Sequence, residues 1–166
     1  KSVRKYRESI PDWLDELGNR ELGTDVWERE LKALNREAKV VLRVNGLKTT
    51  IDELQKKLLE EGVETVKLGD SSFWQEVGKE ALVLTQRRRL ESLNSFKQGL
   101  FEVQDAGSQL IPNYLSVEEG MNVIDAGAGA GGKTLHIAAL MNNKGRIVAM
   151  DVEEKKLLEL NKRAER

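Results

Sequence analysis

No cysteine occurs among the 166 residues, so neither a disulfide framework nor a cysteine-based metal site can form. The same absence removes the thiolate from any chemistry assigned to this chain. It fits a reducing compartment, and a cytoplasmic location is the expectation. The single histidine, His136, has no partner at metal-ligand spacing and reads as a packing or surface residue, so no metal ligands are assigned. No run approaches the roughly 20 apolar residues of a membrane span. The chain opens on Lys1 rather than Met, without a secretion leader, and reads as a piece of a longer protein. A positive excess is also missing: 27 Lys and Arg stand against 28 Asp and Glu, for a net charge of -1. Any contact with nucleic acid must then come from local basic patches. There is no internal repeat and no low-complexity linker.

What is present is a balance of 39% hydrophobic and 33% charged residues, enough for one ordinary domain or two small ones. Ser9-Ile10-Pro11-Asp12 predicts a helix start, with Ser9 as cap, Asp12 as its acidic partner and Gly18 as the stop. A second helix is expected from about Asp25 to Glu37, with Val26, Trp27, Leu31 and Leu34 facing a core; Trp13 is expected to pack there too. Val40–Val44, Val63–Leu68, Ala81–Thr85 and Leu100–Val103 read as strands. Thr50-x-x-Glu53 is a capping box that opens a helix with Ile51, Leu54 and Leu58 on one face and Gly62 at its end. Gly69–Ser72 reads as a loop and Arg87–Leu93 as a short helix. Beyond Ala106 a helix to about Leu115 leads to strand Met121–Ala126, a glycine-rich loop, helix Lys133–Met141 and strand Arg146–Asp151. A charged helix then exposes its outer side to the end of the chain. That is an α/β chain whose last part is one βαβ unit with a parallel strand pair.

The chemistry concentrates in Asp125-Ala126-Gly127-Ala128-Gly129-Ala130-Gly131-Gly132-Lys133-Thr134. Glycines between a strand and a helix let backbone approach a ligand, and the amides of the following helix start favour anionic or electron-rich groups. Three patterns fit the same residues. Gly127-x-Gly129-x-x-Gly132 matches a dinucleotide fingerprint. Gly127-x4-Gly132-Lys133-Thr134 matches a phosphate-binding P-loop. Asp125-x-Gly127-x-Gly129-x-Gly131 resembles the first motif of Rossmann-like methyltransferases. Asp151 ends the next strand, 19 residues after Gly132, where a parallel sheet brings two strand ends to one crevice. A carboxylate there can accept from both ribose hydroxyls of an adenosine, which suits NAD or S-adenosylmethionine. The alternative is an ordinary helix cap. Asp125, an acid just before the loop, favours the methyltransferase pattern over the dehydrogenase one.

Over nearly its whole length the chain resembles the Sun/Fmu-type RNA cytosine-5 methyltransferases. The resemblance rests on four segments in order: Ser9–Leu14, Leu42-Arg43-Val44-Asn45-Gly46-Leu47-Lys48, Gly99–Ser108 and Asp125–Thr134. Gly127 and Ala130 stand where that family's loop usually has cysteine and proline. The resemblance implies a small RNA-recognition-like α/β domain followed by the first βαβ unit of an incomplete Rossmann-like methyltransferase domain, divided as residues 1–104 and 105–166. It implies that Asp125, Gly127, Ala128, Gly129, Ala130, Gly131, Gly132 and Lys133 surround the methionine end of S-adenosylmethionine, that Asp151 holds the ribose and that Val152 lies near the adenine. The partner would be ribosomal or transfer RNA. Arg87-Arg88-Arg89 is the densest basic run, and Lys1, Arg4, Lys5 and Arg7 form another; either can neutralise phosphates or simply be a solvated face.

Family chemistry uses one thiolate to add to carbon 6 of cytosine and a second to help release product. In that family both cysteines lie downstream of the position that Arg166 matches, so no catalytic residue is assigned and the chain alone is expected to be inactive. Two other readings stay open on the sequence: a P-loop nucleotide-binding protein, and a non-catalytic RNA-binding module.

Overall fold

The computed structural model of the chain describes residues 2–68 and 80–166, so the expected loop at Gly69–Ser72 lies outside it. The chain forms two compact units, residues 1–38 and 39–166.

The first unit has three helices: α1 (Ser2–Glu8), α2 (Asp12–Leu22) and α3 (Thr24–Leu34). Ser9 does not open α2. Its φ is 53°, and the Ile10 N–H bonds the Lys5 carbonyl at 3.2 Å, so Ser9 is the left-handed residue that closes α1. Extended Pro11 precedes α2, where a missing N–H costs nothing. Gly18 does not stop the helix either. The Trp27 indole lies on it so closely that a Cβ would come within 2.3 Å of the ring. Trp27 Nε1 donates to Asp15 Oδ1 at 2.8 Å, and Arg4 pairs with the same carboxylate at 2.8 Å. Arg4 first, then the indole, hold the Asp15 carboxyl below its ordinary range.

Trp13 is 65% exposed, against expectation. It lies five residues before Gly18, about 140° around the helix from the face that receives Trp27. On α3, Trp27 and Leu31 are buried. Val26, about 100° away from Trp27, and Leu34, at the helix end, are exposed. Of the basic run here, Lys1 lies outside the described residues and the others are paired locally: Arg4 with Asp15 and Glu28, Lys5 with Asp12, and Arg7 with Glu8 and Glu28.

The second unit begins with β1 (Val41–Val44), α4 (Ile51–Glu60), β2 (Thr65–Lys67), β3 (Ala81–Leu84), α5 (Asn94–Lys97) and β4 (Phe101–Val103). All pairings are antiparallel and the sheet order is β2-β3-β1-β4, which is the ferredoxin-like βαββαβ arrangement. β1 and β3 are buried along their full length because both sheet faces are covered. On one face Leu42, Val44, Leu82, Leu84 and Phe101 pack with Leu54 and Leu58 of α4. On the other, Val41, Ala81 and Val83 meet Ala106 and Leu110 of α6 (Ala106–Tyr114). The capping box forms as expected: Thr50 Oγ1 accepts from the Glu53 N–H at 3.3 Å, and Glu53 Oε2 accepts from the Thr50 N–H at 3.0 Å.

Arg87–Leu93 is not a helix. Leu90 and Leu93 both turn into the core, and Arg88 donates to the Gly62 carbonyl. The helical turn starts only at Asn94, where the carboxylate of Glu61 accepts the Asn94 N–H at 2.7 Å. A cap supplied from 33 residues away leaves no local trace in the sequence.

α6 also packs on α7 (Gly132–Leu140), the crossover between β5 (Asn122–Asp125) and β6 (Arg146–Ala149); α8 (Glu154–Glu165) follows. β5 and β6 are parallel, with Asp125 opposite Ala149. Among the described residues no helix is long and apolar enough to cross a membrane.

Gly18→Ala should destabilise the helical unit by about 1–3 kcal/mol, because overpacking against Trp27 outweighs the roughly 1 kcal/mol of helix propensity that alanine adds. Urea unfolding followed by tryptophan fluorescence measures this, and an unchanged or raised midpoint would refute the packing account.

Candidate functional site

The parallel register of β5 and β6 sets two strand ends side by side, and the loop leaving β5 bends over the end of β6. Two backbone bonds join them and a third closes the loop on itself. The Met150 N–H bonds the Asp125 carbonyl at 2.8 Å, the Ala128 N–H bonds the Met150 carbonyl at 2.9 Å, and the Gly131 N–H closes a turn onto Ala128 at 2.9 Å. Asp151 then reaches across: Oδ2 accepts from the Gly129 N–H at 2.8 Å and Oδ1 from the Glu153 N–H at 2.9 Å. Those two amides, Glu153 first, hold the Asp151 carboxyl below its ordinary range, so it is a carboxylate at neutral pH. Asp151 is therefore not the cap of the following helix, whose N-cap is Glu153; one oxygen holds the loop and the other closes a turn onto Glu153 two residues on.

Gly131 is the position where the loop requires glycine. Its φ is +87°, and a Cβ there would lie 2.5 Å from Leu160 of α8. Gly129, at φ +53°, is also left-handed, but a Cβ at Gly127 or Gly129 would meet nothing within 4 Å. The space above them is open, and the loop's backbone faces it. α7 starts at Gly132 with no side-chain cap, and the first intrahelical bond is the Leu135 N–H to the Gly131 carbonyl. The amides of Gly132, Lys133 and Thr134 thus belong to the helix end whose N–H groups have no intrahelical acceptor. Together with the helix dipole they favour an anionic or electron-rich group.

Asp125, at the end of β5, accepts from Thr134 Oγ1 at 2.7 Å. That bond ties the strand end to the first turn of α7. It also engages the hydroxyl that a P-loop would present to magnesium, which weighs against the nucleotide-triphosphate reading. Ala128 is buried, Lys133 is half-buried and Val152 is fully exposed beside Asp151.

The structure brings together Asp125, the loop residues, Lys133 and Asp151, as their spacing predicts. Arg87, Arg88 and Arg89 lie elsewhere. They line a shallow groove of about 430 Å³ with Gly62, Glu64, Thr85, Gln86 and Ser92, and no loop residue takes part in it. All three arginines are exposed.

One set of contacts went unread in the sequence. The terminal helix is not simply a solvated outer face: Leu160 is buried against Gly131, and Arg163 turns inward. Arg163 donates to the Ala130 carbonyl at 2.5 Å and to Glu102 of β4 at 2.7 and 3.1 Å. The only available signal was Leu160 and Arg163 lying three apart within a charged run, a spacing common on solvated helices too.

Two segments of the chain match known families. Residues 10–91 match the family described as RsmF/B-like methyltransferase, ferredoxin-like domain, and residues 112–166 match that described as 16S rRNA methyltransferase RsmB/F. The chain is 33% identical, over 86% of its own length and 31% of the relative's, to a probable ribosomal RNA small subunit methyltransferase B of Synechocystis. It is 30% identical to a protein of the same description from Bacillus subtilis, over 95% of this chain and 34% of that one. A solved methyltransferase homolog protein from Pyrococcus horikoshii superposes with a TM-score of 0.81 at 29% identity, over 98% of this chain and 51% of that one. The chain spans about a third of the length of the curated relatives it matches. The ferredoxin-like sheet falls largely within the first matched segment and the parallel pair with its glycine loop within the second, and the chain belongs to the Sun/Fmu-type RsmB/F methyltransferase family.

Proposed function

We propose that this chain is the cofactor-binding and RNA-contacting part of an S-adenosylmethionine-dependent RNA cytosine-5 methyltransferase of the cytoplasm, with ribosomal RNA as substrate. The observation that carries the reading is the Asp151 carboxylate held on the Gly129 N–H at the mouth of the loop. Each carboxylate oxygen uses one acceptor site on backbone, leaving capacity on both for the two hydroxyls of a ribose. Exposed Val152 offers apolar surface for an adenine, and the open ground over Gly127 and Gly129 leaves room for a ligand. Residues Asp125 and Gly127 to Lys133 would surround the methionine end, with the α7 amides toward its carboxylate. The donor set fits the group. S-adenosylmethionine bound there supplies an electrophilic methyl group, while the protein residues bind, orient and exclude water.

Functionally, residues 1–104 would serve the RNA and residues 105–166 the cofactor. The names of the relatives favour small-subunit ribosomal RNA over transfer RNA. The Arg87–Arg89 groove would take up phosphates of that RNA. Activating carbon 5 of cytosine needs a thiolate on carbon 6, and this chain has no cysteine. We therefore read it as unable to methylate by itself.

Three outcomes are expected. S-adenosylhomocysteine binds this chain by calorimetry, Mg-ATP does not, and Asp151→Ala weakens binding by about 10- to 100-fold, as the loss of charged hydrogen bonds dictates. Because the folded pKa of Asp151 is lowered, its contribution is complete above the ordinary carboxylate pKa and is lost as pH falls through the lowered value. Affinity should then be flat from about pH 8 to pH 5 and decline only below about pH 4, and Asp151→Asn should abolish that decline. Magnesium-dependent ATP binding in place of S-adenosylhomocysteine would overturn the reading. Finally, replacing Arg87 and Arg89 by alanine should reduce the log–log salt slope for single-stranded RNA by about 0.7 per arginine; an unchanged slope would remove this groove from the RNA contact.

A further inference from the structure

The backbone of the loop is held from below as well as from the strand side. Ala130 has no polar side chain of its own, yet its carbonyl accepts from Arg163 Nη1 at 2.5 Å. The other side of the same guanidinium, Nε and Nη2, is held by Glu102 Oε2 at 3.1 and 2.7 Å. Arg163 sits on α8 and Glu102 on β4, 61 residues apart in sequence. The side chains are 17% and 10% exposed, so solvent screens the pair little. Arg166 also donates to Glu102, and buried Arg43, whose Nε donates to Gln104 at 2.8 Å, feels the same carboxylate.

Elementary geometry gives this bridge a consequence. A peptide group is planar, so fixing the Ala130 carbonyl fixes the Gly131 N–H on the opposite edge of the same plane. That N–H closes the loop turn onto Ala128, and Gly131, at φ +87°, then directs the first amides of α7. The guanidinium is itself planar and rigid, so its two sides hold the carbonyl and the carboxylate in one fixed relation. A lysine has no second planar edge with which to do both.

We infer that Arg163 is a positioning residue, which orients the Ala130–Gly131 peptide for the cofactor and draws that orientation from Glu102 on the ferredoxin-like sheet. The inference deepens the proposed function and rests on its reading of the loop as the cofactor site. Cofactor affinity is thereby tied to a carboxylate on the sheet that would serve the RNA.

The test uses the whole chain and S-adenosylhomocysteine as probe, with calorimetry, melting temperature and amide hydrogen exchange at Gly131. Arg163→Ala should weaken binding about tenfold and speed exchange at Gly131. Arg163→Lys should stay within about twofold of Arg163→Ala, because charge alone does not restore the fork. Glu102→Gln, the milder change, should weaken binding about threefold, and combining it with Arg163→Ala should add nothing further. Lower melting temperatures with unchanged affinity and unchanged Gly131 exchange in the folded variants would make the bridge merely structural and overturn the inference. Additive losses would overturn it too. If the unsubstituted chain binds no S-adenosylhomocysteine, the cofactor reading fails instead. Gly131 exchange then still decides the orientation claim, with unchanged exchange in both variants refuting it.

Discussion

The bond from the Gly129 N–H to the Asp151 carboxylate joins the end of one parallel strand to the loop that leaves the other. It forms because β5 and β6 run side by side in register, ending together at Asp125 and Ala149. An antiparallel pair would send Asp151 to the far end of the sheet. The parallel register requires the α7 crossover, and the crossover brings uncapped helix amides to the same place as the carboxylate. One topological choice therefore produces the donors, the acceptor and the open ground between them.

The rest of the second unit supports that corner. The ferredoxin-like sheet buries both faces, and α6, which covers one of them, is also the surface on which α7 rests. Beneath α7 the packing is partly polar. His136 is 1% exposed, with Glu80 Oε2 3.6 Å from its Nε2, beyond hydrogen-bond length. Burial pushes its pKa down, so the imidazole is neutral at physiological pH. On the other side of the loop, Leu160 fits against Gly131 and Arg163 holds Ala130. The loop is thus fixed by a strand-end carboxylate, an apolar contact and a guanidinium, while its upper surface stays open.

Much of this was legible because some patterns are local. Thr50 and Glu53 find each other within one helical turn, and the capping box formed as its spacing dictates. Strand, glycines and helix follow in sequence at the loop, so its place needed no tertiary knowledge. Asp151 was found by counting along a βαβ unit whose geometry is stereotyped. Elsewhere the deciding contact is remote. Gly18 looked like a helix stop, but it is the seat for Trp27. Ser9 looked like a cap, but it serves the helix before it, which sequence periodicity did not reveal. The helix expected over Arg87–Leu93 gave way to core burial of Leu90 and Leu93 and to a cap from Glu61. Arg163 seemed one charge among many because its partner Glu102 lies on β4, 61 residues away.

The central claim, that the open ground above Gly127 and Gly129 is where an adenosine-bearing methyl donor lies, is tested most directly by nuclear magnetic resonance of the labelled chain titrated with S-adenosylhomocysteine. The account predicts that the largest amide shifts fall on residues Gly127 to Lys133 together with Asp151 and Val152. Shifts confined to the Arg87–Ser92 groove, or none at saturating ligand, would contradict it.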